Sequence, residues 1–247
     1  QGSVFMNFKG KTAIITGVSH GIGKAAALKL AELGAKLVLA DINEKGLAET
    51  AAAAQKAGAE IMALTLDVSD ERAVFEAAEK AENHFGRIDI LINNAGIYNT
   101  WGAFEDSDPE SWKQKINVNI LGTMYFSKAV IPYMKKNGGG KIVNIGSVAG
   151  VYGVTNMADY SMTKGAVIAF TKVLAKELGP HKINVNAVSP GSIDVTDNHS
   201  NPMTEHSFLG RAGTPEECAN VIVFLASDEA DYVNGQNWLV DGCRKHM

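Results

Sequence analysis

At 247 residues, with 46% hydrophobic and 20% charged side chains, the chain has the size and composition of one large α/β domain with a substantial core. A net charge of −4 offers no electrostatic invitation to nucleic acid or an anionic membrane, and no apolar run reaches the length of a membrane span. The six histidines show no metal-ligand spacing, the two cysteines (Cys218 and Cys243) read as reduced structural thiols, and no signal-peptide pattern is visible, so a metal-free cytoplasmic protein is expected.

The leading Gln-Gly-Ser has the look of a tag remnant, and residues 1–7 are set aside as a remnant or disordered start. Thr12 to Thr16 is a short apolar, β-branched run, as expected of a strand buried on both faces. Gly17, Gly21 and Gly23 follow at once, and an alanine- and leucine-rich helix then runs toward Leu33. Glycines between a strand and a helix let the backbone turn sharply and approach a pyrophosphate, which rests on the free N–H groups at the helix start. Ser19, His20 and Ile22 complete this turn; His20 either touches a cofactor or faces solvent. Asp41 closes the next apolar run, Lys-Leu-Val-Leu-Ala-Asp, about 20 residues past the turn, where a carboxylate can accept hydrogen bonds from an adenosine ribose. It would repel a 2′-phosphate, and Ile42-Asn43-Glu44 after it brings no arginine, so NAD is expected rather than NADP. The plainer role for Asp41 is a helix N-cap for Asn43 onward.

Further strand-like runs recur near residues 60, 88, 141, 183 and 237, with helical segments between the first six of the seven. Gly138 to Gly140 end the long helix containing Asn119; Asp108 before Pro109, and Thr214-Pro215-Glu216-Glu217, read as helix caps. The pattern predicts an α/β fold: a Rossmann-type, doubly wound, mostly parallel sheet of about seven strands, helices on both faces, in a single domain spanning 1–247. Right-handed crossovers place the strand C-terminal ends along one edge.

Tyr160 and Lys164 stand four residues apart in a helical segment, so both project from one face. An ammonium about 5 Å from a phenol, at an effective dielectric of about 20, favours the phenolate by roughly 3 kcal/mol. That is about two pKa units, enough to bring a tyrosine toward neutrality as an acid/base for an alcohol oxygen. Ser147 can supply a hydroxyl to hold the same oxygen.

Taken together, Thr16-Gly17-x-x-x-Gly21-Ile22-Gly23, Asp67-Val68, Asn93-Asn94-Ala95-Gly96, Asn119-Ile-Leu-Gly122, Ser147, Tyr160-x-x-x-Lys164 and Pro190-Gly191 resemble the short-chain dehydrogenase/reductase family in its ordinary single-domain form. The resemblance covers residues 12 to about 191, and the ending Gly-Gln-Asn-Trp-Leu-Val-Asp-Gly also fits. It implies reversible hydride transfer between a nicotinamide and a carbonyl or secondary alcohol. On it, Tyr160 is the acid/base and Lys164 lowers its pKa and binds the nicotinamide ribose. Ser147 holds the substrate oxygen, and Asn119 lies in a distorted helix that holds a water in a proton relay. Asn117 is two residues away, but the following Ile-Leu-Gly favours Asn119. The resemblance further implies that Asp67 meets the adenine amino group with Val68 on the ring. Asn94, Ala95 and Gly96 line the adenosine side or simply brace the central sheet. Pro190, Gly191 and Ile193 lie beside the nicotinamide, and Ile42 beside Asp41. Thr196 is a candidate for the pyrophosphate or carboxamide, although it stands three residues after Ile193 where the family's threonine stands two after.

Residues 192–210 form the expected substrate loop, polar and shorter than the family's lid; Met203 and Phe208 either face an apolar ligand or anchor the loop. Tyr98, Trp101, Val148 to Tyr152, Val154 and Met157 are expected to shape the pocket. The expectation is therefore an NAD(H)-dependent oxidoreductase for a small secondary alcohol or ketone (a polyol, a hydroxysteroid or another hydroxy compound), assembled as a homotetramer. The alternatives are an NADPH-dependent 3-oxoacyl-thioester reductase and a non-catalytic dinucleotide sensor. Intact Asn119, Ser147, Tyr160 and Lys164 count against the sensor.

Overall fold

The computed structural model describes residues 6–98, 101–195 and 206–245. Among these described residues, seven strands form one sheet in the order β3-β2-β1-β4-β5-β6-β7, every neighbouring pair parallel. They are β1 (Thr12–Thr16), β2 (Lys36–Asp41), β3 (Ile61–Thr65), β4 (Ile90–Asn93), β5 (Gly140–Ile145), β6 (Ile183–Pro190) and β7 (Asn237–Val240). Strands β1 and β4 are buried throughout, as a two-sided parallel sheet requires. Alternate strand residues serve opposite layers. Ala13, Ile15, Leu37 and Leu39 pack with α1 (Gly21–Glu32), α2 (Glu44–Lys56) and α8 (Pro215–Ala226). Ile14, Val38 and Ala40 pack with α3 (Glu71–Phe85), α5 (Thr123–Lys136) and α7 (Ala158–Leu178).

Strand order reverses beside β1, which pairs with β2 on one side and β4 on the other, so the chain opens a crevice at the carboxyl ends of these strands. Short helices α4 (Pro109–Lys115) and α6 (Val148–Tyr152) lie at that end. Between α4 and α5 the backbone runs as a π-helical stretch, Ile116–Gly122, so the expected long helix is continuous but locally widened around Asn119. Caps fall where the sequence puts them at Asp108 and Thr214, the latter a full capping box with Glu217.

The start of the chain needs correction. Residues 1–5 lie outside the described part, but Met6 packs against the core and Phe8 is buried, so the fold begins before residue 8. Among the described residues no helix is long and apolar enough to cross a membrane.

Candidate active site

Gly17 turns at φ +70 and Gly21 at φ +57, conformations that suit residues without a Cβ. A Cβ on Gly17 would come within 2.8 Å of the Ala95 Cα, and one on Gly23 would collide with the Gly17 carbonyl and the Asn94 amide. Asn94 closes this turn from β4: its Nδ2 donates to the carbonyls of Thr16 at 3.0 Å and Gly17 at 2.7 Å. The Thr16 hydroxyl accepts from the N–H groups of Asn94 and Ala95, both at 3.0 Å. Asn94 thus braces the turn, and Thr16 is its counterpart.

Helix α1 begins at Gly21 after His20, with no side-chain cap and no acidic residue in its first turn. Helices α2, α3, α4, α6 and α8 each carry a side-chain cap. The turn therefore keeps its N–H groups and the positive end of the helix for an anion, in a cradle that any Cβ would fill; these residues fit the pyrophosphate of a dinucleotide. His20 is exposed and its ring meets the Ser19 hydroxyl at 2.9 Å. Ile22 is half-buried on the first turn of α1.

Asp41 is buried at the end of β2, with Oδ2 accepting from Ser19 N–H and Oδ1 from Asn43 N–H, both at 2.8 Å. The expected N-cap role is corrected: Asn43 caps α2 by accepting from Gly46 N–H, because the chain needs two more residues to leave the strand before the helix begins. Asp41 instead ties the phosphate turn to β2 as a fixed negative charge, with exposed Ile42 beside it. Asp67 accepts from the N–H and hydroxyl of Ser69. Val68 is buried against Gly122, where a Cβ would approach it to 2.7 Å.

At β4, the π-helical stretch and α7, the polar residues converge. Asn119 Oδ1 accepts from Ile97 N–H at 2.8 Å, while Nδ2 donates to the Ile97 carbonyl and to the Thr163 hydroxyl, both at 3.0 Å. Lys164 Nζ donates to the Ile145 carbonyl at 2.8 Å. Gly96 separates them: a Cβ there would lie 3.3 Å from both Asn119 Oδ1 and Lys164 Nζ. Lys164 Nζ sits 5.8 Å from the centre of the Tyr160 ring, and Tyr98 meets that ring edge-on at 6.2 Å. Ser147 opens α6, its hydroxyl accepting from Ala149 N–H at 3.1 Å.

The electrostatics depart from the two-residue picture. Burial pushes the Tyr160 phenol above its usual value, the Ser147 hydroxyl pulls it down, and Tyr98 raises it; Lys164 is not among the groups that move it. Burial also lowers the Lys164 ammonium to about 8. The expected net depression of Tyr160 is therefore corrected: burial outweighs what lowers the phenol, and spacing along a helix carries no information about burial.

Gly191 N–H donates to the Val240 carbonyl, and Pro190 ends β6 buried. Ile193 bridges to Gly213, and Val195 reaches back so that a Cβ on Gly21 would lie 3.2 Å from it, which sets this segment over the phosphate turn. Thr196 and Met203 lie outside the described residues. Phe208 is exposed, with Lys245 Nζ 5.6 Å from its ring, and the strip Phe208–Leu209 is tied to the chain's end through Cys243 and Gly242 carbonyls. Cys243 is exposed, whereas Cys218 is buried and its thiol pushed up to about 12. Among the described residues no three His, Cys, Asp or Glu side chains cluster as metal ligands.

The sequence profile of a family described as Enoyl-(Acyl carrier protein) reductase matches residues 17–243. A 3-oxoacyl-(acyl-carrier-protein) reductase, FabG, of Thermotoga maritima is 40% identical over 249 aligned residues, covering 96% of this chain and 98% of that protein. A trans-4-hydroxycyclohexanecarboxylate dehydrogenase of Sinomonas cyclohexanicum is 38% identical over 248, covering 94% and 92%. Among solved structures, an NAD+-bound xylitol dehydrogenase superimposes with a TM-score of 0.90 at 33% identity, covering 95% of this chain and 99% of that one.

Proposed function

This chain belongs to the short-chain dehydrogenase/reductase family, and from that premise we propose that it interconverts a secondary alcohol and a ketone with NAD(H). The observation that carries the reading is the convergence of Tyr160, Ser147, Lys164 and Asn119 beside an uncapped phosphate turn. The α1 N–H groups would hold the pyrophosphate, Asp41 the adenosine ribose and Lys164 the nicotinamide ribose. Bound NAD supplies the acceptor for the hydride that leaves the alcohol carbon.

The chain's own residues handle the proton. In oxidation, Tyr160 Oη takes the hydroxyl proton as the C–O bond becomes a carbonyl; in reduction it returns that proton. Ser147 Oγ donates to the same oxygen and holds it where charge develops. Because burial keeps the phenol protonated at neutral pH, Tyr160 stands ready as the acid for reduction, and oxidation is expected to quicken as pH rises.

Tyr98, Trp101, Tyr152 and Phe208 are all exposed; Tyr98 touches the acid/base ring, and Gly102 N–H binds the Asn156 carbonyl just before α7. The aromatic face that Tyr98 sets against the acid/base ring favours an alicyclic secondary alcohol over a polyol. The second reading, an NADPH-dependent 3-oxoacyl-thioester reductase, is favoured by the likeness to the Thermotoga protein. Asp41 opposes it, since a fixed carboxylate repels a 2′-phosphate.

The deciding experiment follows reduced-nicotinamide formation with NAD and NADP on alicyclic alcohols, polyols and 3-hydroxyacyl thioesters. The expected result is turnover of an alicyclic alcohol with NAD, at least tenfold better in kcat/KM than with NADP. Faster NADPH-dependent reduction of a 3-oxoacyl thioester than of any ketone in the panel would replace the first reading with the second.

A further inference from the structure

Two rungs join the helix that carries Asn119 to the helix that carries Tyr160. One is the hydrogen bond from Asn119 Nδ2 to the Thr163 hydroxyl, at 3.0 Å. The other, one helical turn earlier on both helices, is an ion pair: Lys115 Nζ donates to Asp159 Oδ2 at 2.7 Å. Residues 115 and 119 are four apart, as are 159 and 163, so the rungs share one helix-to-helix register. Each lies one residue before a member of the proposed machinery, Asp159 before Tyr160 and Thr163 before Lys164.

The ion pair is placed at a cost. Lys115 is 0% exposed and Asp159 8%, and two charges removed from water seldom stabilise a fold more than apolar side chains of the same volume would. Holding two helices together therefore does not account for the pair. Apolar residues cannot do what Asp159 does with its other oxygen: Oδ1 accepts from the N–H of Tyr160 at 2.7 Å. Helix α7 has no side-chain cap at Met157, so this carboxylate serves its first turn from within. Both carboxylate oxygens are engaged, one by an ammonium and one by the main chain of the acid/base. Lys115 is in turn held by the Ser111 hydroxyl at 2.8 Å on the preceding turn.

We infer that Lys115 and Asp159 are positioning residues for the proposed acid/base: Lys115 fixes the Asp159 carboxylate, which fixes the main chain of Tyr160, so the phenol stays aimed beside Ser147. The inference rests on Tyr160 being that acid/base. A displacement near 1 Å at a reacting group is enough to lower a rate about a hundredfold.

The test compares Lys115→Met, Asp159→Asn and the double variant Lys115→Met/Asp159→Leu, with Tyr160→Phe as control, on the best alcohol of the panel. Lys115→Met is expected to lower kcat at least tenfold while the Kd for NADH, read from reduced-nicotinamide fluorescence, changes less than twofold. The double variant replaces the charges with apolar volume and should recover the Tm. Its kcat should stay at least tenfold down, and amide exchange at the first turn of α7 should quicken at least tenfold, because Tyr160 N–H has lost its acceptor. Recovery of kcat together with Tm in the double variant would overturn the inference. If the lysine and double variants fail to fold, Asp159→Asn decides: a tenfold lower kcat at unchanged KM for NAD supports positioning, and a normal kcat overturns it. Tyr160→Phe separates the two levels: full turnover there sinks the acid/base reading itself, whereas a dead Tyr160→Phe beside a fully active double variant sinks only the inference about the pair.

Discussion

Around β1 and β2 the candidate site is made by main chain, and around β4 to α7 it is made by buried polar side chains. The first region presents glycines, a carbonyl brace from Asn94 and a helix start without a cap. In the second, Asn144 Nδ2 donates to Thr171 Oγ1, and Asn93 Nδ2 donates to both Asn144 Oδ1 and Ser127 Oγ. Thr123 Oγ1 donates to the Asn119 carbonyl, continuing that buried chain toward the π-helical stretch. A phosphate is bound well by N–H groups that any sequence carries, so the first region constrains residue volume above all. A proton must be moved by named functional groups at fixed positions, so the second constrains chemistry, and every buried polar atom there needs a partner.

Gly23→Ala is the sharpest way to break the first region. Alanine within a helix is normally worth about 1 kcal/mol over glycine. Here the added methyl meets the Gly17 carbonyl, which has no flexible end to yield. The sign should invert, with stability falling by about 3 kcal/mol, the upper end for overpacking. Chemical denaturation checks the stability, and titration with NADH should show affinity lost along with it. A variant as stable as the parent would mean that the cradle relaxes and that volume is not its constraint.

Lys164 offers a way to sharpen the second region. Its ammonium is lowered to about 8 in the fold, against about 10.4 in an unfolded chain. Between those values the unfolded state binds the extra proton, so stability rises with pH across the window and is lost as pH falls through about 8. The full swing is of the order of 3 kcal/mol at 1.36 kcal/mol per pKa unit. Subtracting the stability profile of Lys164→Met from that of the parent, measured in urea from pH 7 to 10.5, isolates this slope from the other lysines. A flat difference would show that the Ile145 carbonyl compensates the buried ammonium fully.

The same contrast explains what could be read from the sequence. Gly17, Gly21 and Gly23 are legible because volume and turn geometry are local, and the strands announce themselves as apolar runs between glycines. Tyr160 and Lys164 are legible through helical spacing. Lys115 is not: in Trp-Lys-Gln-Lys it resembles a solvated charged face, and its burial depends on Asp159, which is 44 residues away. Thr163, which receives Asn119, is silent for the same reason. The raised phenol of Tyr160 is also a product of packing, since spacing fixes a distance but not the solvent removed around it.

Asp41 is where the two regions' rules meet, a side chain with its own chemistry set among main-chain groups. Its oxygens already accept from Ser19 and Asn43, so the charge is held still rather than left to swing away from an incoming phosphate. Asp41→Asn keeps the volume and removes the charge, and it turns an amide NH2 toward one of the two N–H donors. Loss of one such bond should lower stability by about 1.5 kcal/mol, the lower end of the range for a hydrogen bond to a charged group. The effect on selectivity should be comparable: about tenfold in the ratio of kcat/KM for NAD over NADP, or about 1.4 kcal/mol, arising mainly from improved use of NADP. If the ratio stays fixed while stability drops, Asp41 only braces the turn and does not set nucleotide choice.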